Sequence, residues 1–125
     1  MTSPFNFRCT VMKTWVRFLR VAAFCSMSAG LPAAAIAADL EVRIAIKDHK
    51  FDPAEIRVPA QQRIKLHIHN QDPSPEEFES HSLKREKVIS GGAKAVLTVG
   101  PLKPGRYPFF GEFNPTTATG VLIVE

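Results

Sequence analysis

Ligand-type side chains are concentrated between residues 76 and 81 of this 125-residue chain, as Glu76, Glu77, Glu79 and His81. If this segment is extended, Glu77, Glu79 and His81 project to one side, and the aromatic residue between them anchors the other. Carboxylates so close together repel one another, which raises the pKa of at least one unless a cation lies among them. The segment therefore predicts a cation site, and the alternative interpretation is a solvated acidic rim.

A second polar pair, Glu112 and Asn114, interrupts the strongly aromatic segment 107–115. Carboxylates with an amide or imidazole suit Fe(III), Fe(II) or Mn(II), or Cu(II) if a histidine joins, rather than Cu(I). Anionic oxygens stabilise Fe(III) more than Fe(II), because the extra charge interacts with each carboxylate. Such donors predict that a bound iron is held as Fe(III). The alternative interpretation of Glu112 is that it is merely the exposed position of a strand end.

The elements that position these residues are predicted to be strands. Residues 40–47 alternate apolar and polar side chains, and residues 64–69 repeat the pattern with Ile64, Leu66 and Ile68 directed to the core. Short strands, six to eight in number, recur at regular spacing without a helical period beyond the leader. This pattern predicts an all-β, Greek-key two-sheet sandwich.

The leader, residues 1–37, is typical of a cleavable secretory signal peptide. Its basic region ends at Arg20, an apolar stretch follows, and small residues precede the expected cleavage after Ala37. The apolar stretch is shorter than the roughly 20 residues of a membrane span. A lipid anchor at Cys25 is not expected, because a phenylalanine precedes it. Residues 38–125 are thus expected to form one periplasmic domain.

Removing the leader changes the composition of the chain. It leaves 12 of the 16 basic residues against all 12 acidic ones, so the net charge of +4 belongs to the leader and nucleic-acid binding is not expected. It also removes both cysteines, all three methionines and the tryptophan. Disulfides, zinc–thiolate sites, thiol nucleophiles and Met ligands are therefore excluded from residues 38–125. Met1 and Met12 are both candidate initiators.

Most of residues 38–125 resembles the small bacterial cupredoxin-like domains. This resemblance is carried by FDP at 51–53, IRVPA at 56–60, the loop 70–79 and LKPGRY at 102–107. A narrower similarity, to the EfeO-type subgroup of oxidase-dependent ferrous-iron uptake systems, is carried by EFES at 77–80, EKV at 86–88, FFGEF at 109–113 and TATG at 117–120.

The resemblance also locates departures from the family. A blue-copper site uses two His, one Cys thiolate and usually a Met. The family pattern places these ligands at Glu76, Gly111 and Asn114, with the Met near Thr117 or Ala118. No type 1 blue-copper site is expected, since every ligand is replaced. Asn114 also stands where subgroup members commonly have a His.

In a cupredoxin fold the two polar segments meet at one end of the sandwich, which implies a single acidic metal site. The candidate ligands are Glu76, Glu77, Glu79, His81, Glu86, Glu112 and Asn114. For Glu86 the alternative is an ion pair with Arg85 or Lys87. His67 and His69 are expected to be solvated strand positions, and His49 ranks below His81 as a ligand.

The resemblance implies a function in periplasmic iron acquisition. The protein is expected to bind iron, or copper, and to deliver it to a membrane iron permease that works with a periplasmic iron-binding protein. Support of Fe(II) oxidation stays open, and binding and delivery are favoured over a freestanding enzyme. The alternative is a metal-free interaction module that docks a membrane partner through the segments 76–80 and 109–113.

Overall fold

The computed structural model describes residue 30 and residues 37–125. The expected cleavage site follows Ala37, so the predicted leader lies almost wholly outside the described residues. Nine strands are present in the described part: β1 Leu40–Lys47, β2 Lys50–Asp52, β3 Glu55–Val58, β4 Ile64–Asn70, β5 Glu76–Ser80, β6 Arg85–Ile89, β7 Lys94–Val99, β8 Gly105–Gly111 and β9 Thr119–Val124.

The strands form two mixed sheets that pack face to face. Sheet A has the order β2-β1-β4-β7, and sheet B has the order β3-β9-β8-β5-β6. One parallel pair lies in each sheet, β1 with β4 and β3 with β9. The predicted two-sheet sandwich is confirmed. No helix among the described residues is long and apolar enough to cross a membrane.

Side-chain alternation assigns each strand a buried and an outward face. In β4, Ile64, Leu66 and Ile68 are buried, whereas His67 and His69 are only half-buried on the outer face of sheet A. Burial of each aliphatic side chain stabilises the fold by about 1.5–3 kcal/mol relative to exposure. The predicted assignment of Ile64, Leu66 and Ile68 to the inward face of this strand is therefore correct.

Three aromatic side chains from different strands fill the centre of the core. Phe51 meets Phe78 and Phe109 edge-on, with ring centroids 6.0 and 5.0 Å apart, and Phe78 stacks on Phe109 at 5.2 Å. Such pairs contribute about 0.5–1.5 kcal/mol each beyond their burial. Phe78 lies at the middle of β5, so this cluster fixes which face of β5 points inward.

The hairpin between β1 and β2 is not among the strands predicted from the sequence. Asp48 and His49 both have positive φ, 52° and 57°, the backbone twist of a two-residue hairpin turn. Their amides donate to the Asp72 carboxylate at 2.8 and 2.9 Å. The His49 amide chiefly, and the Asp48 amide with it, hold the pKa of Asp72 below its usual value against the opposing effect of burial. His49 and Asp72 therefore stabilise a turn.

Candidate metal centre

The outer face of the β5–β6 hairpin brings together three carboxylates, which we call the acidic triad: Glu77, Glu79 and Glu86. Glu77 and Glu79 are two residues apart on β5, so they share a face, and Glu86 lies directly opposite Glu79 on β6. One oxygen from each carboxylate lies within 4.8 Å of the other two. Glu77 and Glu79 are half-buried and Glu86 is exposed. The segment 76–80 is a strand, and its extended backbone creates this alignment.

Electrostatic repulsion is concentrated on Glu77. Its pKa is raised by desolvation first, and then by the negative charges of Glu86, Glu79, Glu112 and Glu76. Removing water from a carboxylate and surrounding it with like charges both disfavour its ionised form. The predicted repulsion among these carboxylates is therefore present in the structure. A bound cation would offset it, because an opposite charge favours the ionised form.

An imidazole and an aromatic ring flank the acidic triad. His81 Nδ1 lies 3.1 Å from Glu79 Oε1, and its ring centroid lies 5.6 Å from that of Phe110. Phe110 is the cross-strand partner of Glu79 on β8. The His81 side chain is 80% exposed, whereas that of Glu79 is 15% exposed. His81 can therefore either orient the Glu79 carboxylate or rotate to supply a nitrogen ligand.

Glu76 lies on the opposite face of β5 and is 1% exposed. Its Oε1 accepts hydrogen bonds from the amides of Glu77 and Phe113, each at 3.0 Å, and its Oε2 accepts from Asn114 Nδ2 at 2.6 Å. We call this arrangement the Glu76 clasp. It ties β5 to the turn after β8, because the three donors come from both segments. Its carboxylate oxygens are already engaged by donors inside the protein.

Gly111 and Ala118 close the space around the Glu76 clasp. A Cβ atom added at Gly111 would lie 2.6 Å from Glu76 Cδ and 2.7 Å from Ala118 Cβ. A cysteine side chain at residue 111 would therefore require the Glu76 carboxylate and Ala118 to shift. The family pattern placed copper ligands at these positions. A carboxylate, a glycine, an amide and an alanine do not fit the imidazole and thiolate set that type 1 copper needs.

The structure divides the candidate ligands into separate groups, which corrects the predicted convergence of all of them at one site. Glu76 faces inward, because it lies two residues from the core residue Phe78 on the same strand. Asn114 is half-buried and donates its side-chain amide to Glu76. The Glu112 side chain is exposed outside the triad, although its amide donates to the Glu77 carbonyl at 2.9 Å and its charge acts on Glu77. The residues brought together outside are Glu77, Glu79 and Glu86, with His81 beside them.

Sequence reasoning missed the structural use of Glu76. The available signal was the alternation that placed Phe78 inward, since residues two apart on a strand share a face. Counting back from Phe78 puts Glu76 in the interior, and counting forward puts Ser80 there. Both are 1% exposed. The Ser80 hydroxyl donates to the Pro108 carbonyl at 2.7 Å, which links β5 to β8 as the Glu76 clasp does.

The two-sheet fold agrees with the comparison against protein families. Residues 17–124 match the cupredoxin-like domain model, and the chain belongs to this family. An uncharacterized protein of Rickettsia prowazekii (strain Madrid E) is 51% identical over 86 residues, which cover 69% of each chain.

Solved structures share the fold at low sequence identity. Auracyanin A, a blue copper protein from Chloroflexus aurantiacus, superposes with a TM-score of 0.62 at 13% identity, covering 70% of this chain and all of that one. The metal-binding domain of the Cu(I)-exporting ATPase CopA of Streptococcus pneumoniae D39 gives 0.61 at 20% identity, with 68% and 84% covered. The fold is thus compatible with metal binding.

Proposed function

We propose that this protein binds a hard metal cation at the acidic triad on the outer face of sheet B. The observation that carries the proposal is the approach of three carboxylates from Glu77, Glu79 and Glu86 to within 4.8 Å. Metal–oxygen bonds of about 2.1 Å place neighbouring ligand oxygens roughly 3 Å apart. Small rotations of the two half-buried side chains and of the exposed Glu86 would close the remaining gap.

The charges around the triad support a preference for a highly charged ion. Three carboxylates, with Glu112 nearby, outnumber the two cations, Lys84 and Arg85, that line the same surface pocket as Glu79 and Glu86. No lysine or arginine among the described residues lies within 4.0 Å of a triad carboxylate. Hard oxygen donors select Fe(III) or Mn(II) over Cu(I). His81 offers an imidazole nitrogen beside the triad and would extend the range to Cu(II).

We further propose that the cation is iron and that the setting is periplasmic iron acquisition. The support is the position of the EfeO-type motifs in the fold. EFES supplies Glu77 and Glu79, EKV supplies Glu86, and these residues form the acidic triad. In this proposal the loaded protein delivers iron to a membrane permease, alongside a periplasmic iron-binding protein. The exposed hairpin would present the metal directly to such a partner.

The proposal is tested by titrating purified protein with Mn(II), Cu(II) and citrate-buffered Fe(III) in a calorimeter. Glu79→Gln should weaken binding by about tenfold or more, because it removes the central charged ligand. Glu55→Gln is the matched control, since Glu55 is an exposed carboxylate on another strand of sheet B that pairs with Arg57. Equal affinity of the parent and Glu79→Gln would refute the site.

Oxygen uptake on Fe(II), measured on the same samples, tests the oxidase activity that the subgroup resemblance implies. Binding without oxygen uptake would assign delivery alone. Binding with uptake that Glu79→Gln abolishes would assign oxidation to the acidic triad.

A second candidate function is a metal-free docking module. The observation that favours it is the exposure of two apolar side chains, Val88 on β6 at 51% and Phe113 in the turn after β8 at 49%. Val88 lies opposite Glu77 on β6. A well-folded protein that binds none of the three metals would favour this function. In that case Val88→Ser should weaken binding of the membrane permease by this protein. Glu79→Gln should show the same absence of metal binding in the calorimeter as the parent protein.

A further inference from the structure

A groove of about 500 Å³ lies on the outer face of sheet A, on the sheet that does not carry the acidic triad. It follows a row of residues in register across all four strands. Asp52 pairs with Ala45, Ala45 pairs with His69, and His69 pairs with Lys94. The small side chain of Ala45 leaves the groove open between its larger neighbours. Its size is in the range of small-molecule sites.

The next row along the sheet completes the wall of the groove. Arg43 pairs with His67, and His67 pairs with Val96, which is 54% exposed. Adjacent strands are about 4.8 Å apart, so these side chains lie within reach of one small molecule. The groove thus has cationic groups on both flanks and apolar surface from Ala45 and Val96.

The cations that face the groove have no carboxylate partner in residues 37–125. Neither Arg43 nor Lys94 lies within 4.0 Å of an acidic oxygen, although Asp52 lines the same groove. His67 differs, because its Nε2 lies 2.7 Å from Glu41 Oε2, a close contact whose angle does not make a hydrogen bond. Two donor groups are therefore available to a ligand.

A metal ion does not suit this groove. His67 and His69 are two residues apart on one face, but they do not belong to any group of three ligand atoms within 4.8 Å in the described chain. Arg43 and Lys94 would also repel a cation, by Coulomb interaction at short range. The same charges attract an anion, and the apolar surface favours one with a hydrophobic body.

We propose that the sheet A groove binds a small organic carboxylate. Arg43 and Lys94 contact its carboxylate groups, His69 donates or accepts between them, and its apolar body lies on Ala45 and Val96. Asp52 closes one end and repels charge there, which sets the orientation of the anion. This site is separate from the acidic triad and does not depend on the function proposed for it.

The test is an NMR titration of the ¹⁵N-labelled protein with phthalate, a planar dicarboxylate, and with its neutral analogue phthalamide. Phthalate should shift the amides of Ala45, His69 and Val96 in a saturable manner, and phthalamide should not. Lys94→Gln and Arg43→Gln should each raise the dissociation constant about threefold, as expected for one exposed charge pair. Asp52→Asn should lower the dissociation constant.

Lys103→Gln is the matched control, because Lys103 is an exposed lysine in the loop before β8 and does not line the groove. It should leave phthalate binding unchanged. A Lys103→Gln effect equal to that of Lys94→Gln would overturn the proposal, since binding would then follow net charge alone. Saturable shifts with phthalamide, or no saturable shift with phthalate, would overturn it as well. The variants replace exposed side chains, so retained dispersion of the spectrum checks folding.

Discussion

Replacing Glu76 by alanine should destabilise the fold strongly, although Glu76 was expected to serve as a metal ligand. The side chain is 1% exposed and accepts three hydrogen bonds. Each hydrogen bond to a charged group contributes about 1.5–3 kcal/mol net, but the buried carboxylate itself costs several kcal/mol to desolvate. Removing the acceptor also leaves three donors without a partner. Because each unsatisfied buried donor costs about 1–3 kcal/mol, we expect Glu76→Ala to lower the unfolding free energy by about 3–5 kcal/mol.

Glu76→Gln separates the charge of Glu76 from its hydrogen bonds. Glutamine keeps an oxygen for the amides of Glu77 and Phe113, but its NH₂ group would face Asn114 Nδ2. A flip of the Asn114 amide turns its oxygen toward that NH₂ and restores the contact. Hydrogen bonds between neutral groups are roughly half as strong as charge-assisted ones. The cost should therefore be about 1 kcal/mol.

Urea denaturation measures these differences, with the m-value checked for constancy across variants. Glu112→Ala is the control, because Glu112 is an exposed carboxylate on the turn that the Glu76 clasp holds, and it should change stability by less than about 0.5 kcal/mol. The Glu76 clasp would be refuted as a stabilising element if Glu76→Ala also fell within about 0.5 kcal/mol of the parent.

Three further outcomes are expected. Glu77→Gln should raise the stability of the fold at pH 7, because the raised pKa of Glu77 means that its ionisation opposes folding. This gain should vanish below pH 4.5, the ordinary pKa of the group, where Glu77 is protonated in the folded and unfolded states. Thermal unfolding at pH 7 and below pH 4.5 measures both outcomes. The pKa of Asp72 is lowered, so its ionised carboxylate stabilises the fold, in contrast to that of Glu77. This stabilisation is fully present above pH 3.8 and is lost as the pH falls through the pKa of Asp72 in the folded protein. Asp72→Asn should therefore cost stability in urea at pH 7 and converge with the parent in acid, and a constant difference would contradict the turn contacts. Gly111→Ala should cost about 1–3 kcal/mol by overpacking against Glu76 and Ala118, and a parent-like melting temperature would contradict the close approach.

Period-2 alternation was sufficient to predict the sandwich and the inward face of β4. It worked because each strand has one buried face, so hydrophobic side chains recur at every second position. The hairpin at Asp48 and His49 was not predictable in the same way. Its turn lacks glycine, and its positive φ angles are stabilised by the carboxylate of Asp72, which is distant in sequence.

The candidate site was predictable in composition but not in arrangement. Its motifs pointed to Glu77, Glu79 and Glu86, and strand parity could have assigned Glu76 to the interior. Pairing of β5 with β6 sets the approach of Glu86 to Glu79, and this register depends on the turn between the strands. The Glu76 clasp needs Asn114 from a segment 38 residues away, a contact that no local pattern contains.

The Glu76 clasp has a consequence for how the protein is assembled in the cell. Where a cupredoxin uses an ion to join its loops, this chain uses a side chain that is synthesised with the rest of the polypeptide. The hydrogen bonds that hold that end of the sandwich together can therefore form as the chain folds, because the joining carboxylate is part of β5.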